Sequence, residues 1–98
     1  MDTHRAMIVN KLDNVATALS DLAVGDSVTL IGTGNLGGIK ANQSIPFGHK
    51  IALITIAEGE TIIKYGEVIG RATQRIPQGN HVHIHNVESL RGRGDIHE

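Results

Sequence analysis

Residues 72–82 read ATQRIPQGNHV, and this stretch decides the fold because its pattern occurs four times in the chain. The pattern is Ala, three residues, Leu or Ile, two residues, Gly, two residues, and Val or Ile. The other copies are residues 18–28 (ALSDLAVGDSV), 41–51 (ANQSIPFGHKI) and 52–62 (ALITIAEGETI). Their spacing along the chain is too irregular for a solenoid. Each copy instead predicts an apolar anchor, a tight turn that contains Gly, and an outgoing strand.

The turn of each copy depends on its glycine, because glycine adopts positive φ without a steric penalty. The glycines expected at positive φ are Gly25, Gly48, Gly59 and Gly79. Pro46 and Pro77 stand two residues before their glycines, and the fixed φ of proline suits the second position of a type I turn. Four such units in one small domain predict an all-β protein.

The segments between the repeats also favour strands and hairpins. Residues 6–9 predict a short opening strand, whereas residues 13–19 fit either a capped helix or a strand. Residues 62–66 and 68–70 predict two strands joined by a turn. The glycine-rich residues 30–38 (LIGTGNLGG) contain the spacing G-x-G-x-x-G, but no helix pattern follows them. They therefore predict a hairpin loop and not a nucleotide-binding loop.

The composition indicates one small domain with an aliphatic core. The chain has 98 residues, of which 40% are hydrophobic and 2% are aromatic, and its formal net charge is −1. Such a chain lacks the basic, stacking surface that nucleic acids require. The absence of Cys excludes disulfides and thiolate metal sites. Residues 1–12 do not resemble a signal peptide and no apolar run is as long as a membrane span, so a cytoplasmic protein without membrane contacts is expected.

A row of histidines begins at position 81, where the sequence reads HVHIHN. Alternation with β-branched residues is typical of a strand, and alternate side chains of a strand share one face. Val82 and Ile84 would then point into the core. Three of the six histidines of the chain would stand together on the opposite face, namely His81, His83 and His85.

Several uses of this row are open. Neighbouring histidines on a strand lie about 6.5–7 Å apart. Two of them can converge on one ion at about 2.0–2.1 Å per bond, with outside ligands completing the site. His81 and His85 would be about twice as far apart as neighbours, so a straight strand cannot bring all three to one ion. The row can also serve proton transfer near neutral pH or hydrogen bonding to a carboxylated ligand. A solvated strand face is the alternative without a function.

Four short motifs occur in a familiar order: DNVA at 13–16, GHK at 48–50, IKYG at 63–66 and HVHIHN at 81–86. This order resembles the N-terminal SAF domain of the altronate/galactarate dehydratase family, and the similarity extends over residues 6–95. That domain also exists as a separate small subunit, as in sulfolactate sulfo-lyase. The resemblance implies a β-clip fold, in agreement with the repeated turn and strand units.

The resemblance also implies a function. It indicates a subunit of a metal-dependent lyase that removes water or sulfite from the position β to the carboxylate of a sugar acid such as altronate or galactarate. The implied cofactor is a divalent metal, Fe²⁺ or Mn²⁺, with His81 and His83 among its ligands. The histidines expected to act in catalysis are His83, His81 and His85. Contacts with the substrate are expected from His49, Lys50, Lys64 and Asn86.

The partners follow from the same resemblance. Fused members of the family carry a large catalytic domain, so a separate large catalytic subunit is expected to complete the site here, while self-association is left open. We expect residues 1–5 to be an N-terminal extension, residues 6–90 the SAF domain and residues 91–98 a flexible tail. The alternative is a non-enzymatic SAF module that binds a carboxylated sugar or a protein partner.

Overall fold

The structure is a computed structural model that describes residues 4–33 and 37–89. These residues form nine strands and no helix, which confirms the all-β prediction, and none of them belongs to a helix that could cross a membrane. The strands are β1 (Arg5–Ile8), β2 (Val15–Ala18), β3 (Ser27–Gly32), β4 (Gly38–Lys40), β5 (Lys50–Ala52), β6 (Thr61–Lys64), β7 (Glu67–Ala72), β8 (His81–Val82) and β9 (Val87–Ser89).

The strands lie in two sheets. The larger sheet has the order β4-β3-β1-β2-β5-β8, and the smaller has the order β6-β7-β9. Within them β1 and β3 run parallel, and the other neighbours run antiparallel. The ambiguous residues 13–19 supply β2, because a strand between β1 and β5 buries side chains on both of its faces.

The predicted opening strand and hairpins are confirmed. β1 begins at Arg5, inside the segment predicted as an N-terminal extension. β3 and β4 form the hairpin predicted around residues 30–38, of which residues 34–36 lie outside the described ranges. β6 and β7 form the second predicted hairpin. The predicted tail, residues 91–98, also lies outside the described ranges.

The four repeats pair two by two through their apolar anchors. Leu22 and Ile45, the anchors of the first two copies, exchange backbone hydrogen bonds of 2.8 and 2.9 Å. Ile56 and Ile76, the anchors of the last two copies, exchange two bonds of 2.8 Å in the same way. All four side chains are buried. The unit of the fold is therefore a reciprocal pair of repeats and not a single repeat.

The turn glycines complete each reciprocal pair. The amide of each glycine donates a hydrogen bond to the carbonyl of the first alanine of the paired copy, and no repeat satisfies this donor by itself. The bonds run from Gly25 to Ala41 (2.7 Å), Gly48 to Ala18 (2.9 Å), Gly59 to Ala72 (2.8 Å) and Gly79 to Ala52 (2.9 Å).

Positive φ at the repeat glycines is confirmed, with values between 85° at Gly48 and 92° at Gly25. The predicted position of the prolines is wrong. The amide of His49 donates to the carbonyl of Pro46 at 3.0 Å, and Asn80 bonds Pro77 in the same way. Proline is therefore the first residue of the turn and glycine the third. This matches a type II turn, whose third residue takes φ of about +80°.

The core consists of two aliphatic clusters, each built on one pair of repeats. β2 contributes to both, because its successive side chains point in opposite directions. Ala16 and Ala18 lie in the first cluster, and Val15 lies in the second. Val82 of β8 is also in the second cluster and is fully buried. Burial of Val82 fixes the orientation of β8, the strand that carries the first histidine of the row.

Candidate functional site at a histidine cluster

The histidine row is not one continuous strand. β8 ends at Val82, and residues 83–86 form a turn that leads into β9. Val82 is buried as predicted, but the prediction that Ile84 enters the core is wrong, since its side chain is 84% exposed. Because residues 83–86 form a turn, the side chain of Ile84 does not follow the alternation between two faces that a strand imposes.

The side chain of Asn86 explains why the strand stops. Its Oδ1 accepts a hydrogen bond from the amide of His83 at 2.9 Å, and its Nδ2 donates to the carbonyl of His81 at 2.8 Å. The backbone amide of Asn86 also donates to the carbonyl of His83 at 3.1 Å. The side chain of Asn can give nearby backbone groups hydrogen-bond partners that compete with pairing to a neighbouring strand. Asn86, predicted to contact substrate, is 5% exposed and lies beneath the histidines as the residue that fixes their backbone.

The turn gathers the three histidines, and a fourth joins them from the repeat turn that precedes β5. The ring centroids of His49 and His83 are 4.1 Å apart and stacked. His81 lies 5.1 Å from His49 and 5.3 Å from His83. Nδ1 of His49 and Nε2 of His81 are 2.9 Å apart, a hydrogen-bond distance. We call His49, His81, His83 and His85 the histidine cluster.

His85 lies closer to His81 than a strand allows. Their ring centroids are 5.2 Å apart, whereas a straight strand would separate the two residues by about 13 Å. The expectation that His81 and His85 must be far apart is therefore wrong. It assumed an extended backbone through residue 85, and the turn at 83–86 folds the second half of the row back toward the first.

Strand pairing explains the position of His49. β5 and β8 are antiparallel neighbours, with Ile51 opposite His81. His49 precedes β5 and lies two residues before Ile51, so its side chain emerges on the same face as that of His81. The backbone of His49 is held by the repeat turn, since its carbonyl accepts a bond from Ala18 at 2.8 Å. A repeat turn thus supplies the fourth member of the cluster.

Three members of the cluster can hold a metal ion. His49, His81 and His83 each offer one ring nitrogen, and these nitrogens lie within 4.8 Å of one another. Two nitrogens bound to one ion at about 2.1 Å in tetrahedral geometry lie about 3.4 Å apart, so small ring movements suffice. Three imidazoles with a remaining open position are a donor set found in catalytic metal centres. The sequence predicted His81 and His83 as ligands and placed His49 with the substrate contacts.

The protonation states of His81 and His83 suit metal binding. Burial and the neighbouring rings of His85, His49 and His83 lower the pKa of His81 from 6.5 to about 4. Partial desolvation, followed by the charges of His49 and Lys50, also lowers the pKa of His83. Both rings are therefore neutral near pH 7. A neutral imidazole has the free lone pair that a metal ion or a transferred proton requires.

Of the two lysines expected to contact the substrate, Lys50 adjoins the cluster and Lys64 lies at the end of β6. Lys50 follows His49 and lines a shallow pocket of about 190 Å³ together with His83 and Ile84. Burial first, and then the charge of Lys64, lowers the pKa of Lys50. The ammonium nitrogen of Lys64 lies 3.5 Å from the centroid of the Tyr65 ring. Lys50 thus places a positive charge near His83.

The motif at 13–16 fixes the hairpin that carries Lys64. Oδ1 of Asp13 accepts a bond from the amide of Gly66 at 2.8 Å. The Asn14 side chain accepts from the amide of Ile63 at 2.8 Å and donates to the carbonyl of Thr61 at 2.9 Å. The partners in these contacts are about fifty residues apart in the sequence. The local sequence around residues 13–16 and around residues 61–66 therefore does not indicate them. The motif thus serves to position the tip of the β6–β7 hairpin.

These features define a small all-β domain with four histidines gathered beside Lys50. The family model of the altronate/galactarate dehydratase SAF domain matches residues 4–90, and the chain belongs to this family. The resemblance drawn from the four motifs is thereby confirmed.

The similar proteins include whole enzymes and a separate subunit. The chain is 41% identical over 81 residues to altronate dehydratase of Bacillus subtilis and 43% identical over 81 residues to that of Escherichia coli. Each match covers 83% of this chain but 16% of the enzyme. Over 52 residues the chain is 52% identical to (2R)-sulfolactate sulfo-lyase subunit alpha of Chromohalobacter salexigens, covering 53% of this chain and 55% of that subunit. The chain thus spans about one sixth of the altronate dehydratases and matches about half of the sulfo-lyase subunit.

Proposed function

We propose that the chain is the SAF component of a metal-dependent lyase that acts on a sugar acid, and that a separate large catalytic subunit completes its active site. The observation that carries this proposal is the convergence of four histidines beside Lys50. They come from β8, from the turn at residues 83–86 and from the repeat turn that precedes β5. The names of similar proteins, dehydratases and a lyase subunit, support the same reaction class. The small size of the matched region in the dehydratases supports a large partner.

In this proposal His49, His81 and His83 hold a divalent metal ion. Imidazole donors suit Fe²⁺ better than Mn²⁺, which prefers oxygen ligands, so Fe²⁺ is the favoured choice between the two. When bound, the ion would supply Lewis-acid polarisation of a carboxylate and its neighbouring hydroxyl, which acidifies the proton on the α-carbon. Neutral rings at His81 and His83 meet the requirement that ligands be deprotonated.

His85 is the candidate for proton transfer. It stands outside the group of three ligands but lies 5.2 Å from His81. An imidazole next to the site can remove the α-proton at a ring nitrogen or donate a proton to the leaving hydroxide. Its exposed position allows it to meet groups of a substrate or of the large subunit. Asn86 does not react in this proposal and acts by positioning the histidines.

The decisive experiment uses the chain purified together with a large dehydratase subunit encoded beside it. The pair is assayed against aldonates, aldarates and sulfolactate, and we expect turnover only when both subunits are present. His85→Ala should lower kcat by a factor of about 10²–10⁴, as expected for loss of a general acid or base. His83→Ala should abolish turnover because it removes a metal ligand, and neither variant should lose folding or subunit binding. His4→Ala is the matched control, because His4 pairs with Asp26 away from the cluster.

Two outcomes would overturn the proposal. Turnover by the pure 98-residue chain would contradict the need for a large subunit. Full activity of the triple variant His81→Ala, His83→Ala, His85→Ala would contradict the role of the cluster. A chain that binds sugar acids but supports no turnover with any large subunit would instead be the non-enzymatic binding module.

A further inference from the structure

The backbone N–H and C=O of His81 point out from one edge of the larger sheet. Among the described residues β8 is the last strand of that sheet, and β5 is its neighbour. Ala52 of β5 donates a hydrogen bond to the carbonyl of Asn80 at 3.0 Å. Hydrogen-bonded and non-hydrogen-bonded pairs alternate between antiparallel strands, so the next pair, Ile51 and His81, is a non-hydrogen-bonded one. The polar backbone groups of His81 therefore need partners other than β5.

Two side-chain amides supply these partners. Oε1 of Gln43 accepts a hydrogen bond from the amide of His81 at 2.9 Å. Nδ2 of Asn86 donates to the carbonyl of His81 at 2.8 Å. The edge of a sheet otherwise presents such groups to water or to a strand of another chain. The backbone of His81 is thus fixed from both sides, by a residue 38 positions before it and by a residue five positions after it.

The backbone next to Gln43 is itself bound to the segment that leads into β8. The amide of Asn42 donates to the carbonyl of Gly79 at 2.9 Å, and its Nδ2 donates to the carbonyl of Gln78 at 2.6 Å. The two segments approach closely, because a Cβ on Gly79 would collide with the carbonyl oxygen of Lys40. These contacts place Gln43 within reach of the first residue of β8.

The repeat that contains Gln43 also contains His49. Nδ1 of His49 lies 2.9 Å from Nε2 of His81, at the other end of the same repeat, residues 41–51. One copy of the repeat therefore supplies a ring of the histidine cluster and an acceptor for the backbone of a second member. A displacement of β8 from this repeat would change the distance between the two rings.

We propose that Gln43 is a positioning residue of the histidine cluster, and that it holds the backbone of His81 where the ring of His81 meets that of His49. Gln43 is exposed and belongs to neither core cluster, so we assign its contribution to this hydrogen bond and not to packing. Residues that orient metal ligands without touching the ion commonly alter the metal affinity when they are replaced. The consequence for metal binding rests on the proposed function, whereas the positioning of His81 does not.

The test compares three variants of the full 98-residue chain with the wild type. Gln43→Leu removes the acceptor and keeps a side chain of similar size. Gln43→Glu retains an acceptor oxygen at the same distance from the backbone. Gln78→Leu is the matched control, because Gln78 is also exposed and its side chain donates to the carbonyl of Leu53 at 2.9 Å and not to the histidine cluster.

Nuclear magnetic resonance in the presence of a chelator measures the positioning without any metal. The readouts are the exchange rate of the His81 amide proton and the nuclear Overhauser contacts between the rings of His49 and His81. Gln43→Leu should speed the exchange by a factor of about two to ten, as expected for loss of one neutral hydrogen bond, and should weaken the ring contacts. Gln43→Glu and Gln78→Leu should leave both readouts close to those of the wild type.

Co²⁺ provides a second readout, because its visible absorption depends on the arrangement of its ligands. Gln43→Leu should weaken Co²⁺ binding by a factor of about ten and alter the spectrum. Gln43→Glu should retain the spectrum and bind at least as tightly as the wild type, because its added negative charge attracts a cation. Gln78→Leu should match the wild type in both affinity and spectrum.

Two results would overturn the positioning role. One is unchanged amide exchange and ring contacts in Gln43→Leu, and the other is an equal change in Gln78→Leu, which would indicate a general loss of stability. Melting temperatures of all variants identify such a loss. Normal Co²⁺ affinity and spectrum in Gln43→Leu would contradict the role of Gln43 and leave the metal site in place. Absence of Co²⁺ binding in every protein, with the His81 ring displaced in Gln43→Leu alone, would contradict the metal site and support the positioning role.

Discussion

The side chain of Asn86 donates a hydrogen bond to the carbonyl of His81 at 2.8 Å and accepts one from the amide of His83 at 2.9 Å. One buried amide thus fixes the backbone of two members of the histidine cluster. It also ends the strand that would otherwise have carried His85 away. The compactness of the cluster therefore depends on a residue that is not one of its rings.

Replacement of Asn86 by Ala should destabilise the fold. The amide of His83 and the carbonyl of His81 would both lose a partner in a partly buried place, which costs about 1–3 kcal/mol per unsatisfied group. We expect a lower melting temperature and altered chemical shifts of the rings of His81, His83 and His85. Gln74→Ala is the control, because Gln74 makes a 3.4 Å bond to the carbonyl of His85 from an exposed position. Equal effects of the two variants would contradict the special role of Asn86.

Gly48→Val tests the repeat turn. Gly48 has φ of 85°, and a Cβ there would meet nothing within 4 Å, so the effect of a side chain is backbone strain alone. A β-branched residue resists this conformation, and we expect a loss of about 1 kcal/mol or more in the free energy of unfolding. Gly37→Val is the matched control, since Gly37 also has open space around it but no positive φ in the turn region. Denaturant unfolding of both variants measures the difference, and equal losses would argue against strain as the cause.

The fold could be predicted from the sequence because its determinants are local. The glycine spacing of residues 72–82 and its three copies marks each turn, and the apolar positions mark each anchor. What the sequence did not reveal is how the copies join. The reciprocal bonds between Gly25 and Ala41, or Gly48 and Ala18, connect separate repeats and leave no local signature.

The candidate site was predicted only in part, because some of its determinants are also contacts between distant parts of the sequence. The alternation HVHIHN identifies the histidines, but it also matches a continuous strand, and a period of two cannot detect a turn whose cause is the side chain of Asn86. His49 reaches His81 across 32 positions of sequence through the pairing of β5 with β8. Tyr65 has a positive φ of 59°, which composition and spacing do not encode.

Acid should destabilise the folded chain through His81. Its pKa is lowered from 6.5 to about 4, so the unfolded chain binds more protons between these values. Stability that is fully present above pH 6.5 is therefore lost as the pH falls toward about 4. His83 contributes in the same direction. Melting temperatures measured with a chelator present should fall less over this interval in His81→Gln than in the wild type or in His4→Gln. The same slope in all three proteins would contradict the effect.

Divalent transition metals should stabilise the isolated chain through the group of His49, His81 and His83. A ligand that binds only the folded state raises the free energy of unfolding by about 2.7 kcal/mol at a concentration one hundred times its Kd. We expect Zn²⁺ or Co²⁺ to raise the melting temperature, whereas Mg²⁺ should have little effect because it prefers oxygen ligands. His49→Gln should remove most of the shift, and His85→Gln should retain it, since His85 is outside the group of three. The visible absorption of bound Co²⁺ reports coordination independently of stability. An unchanged melting temperature with Zn²⁺, or the same shift and spectrum in His49→Gln, would show that these three rings do not form the metal site.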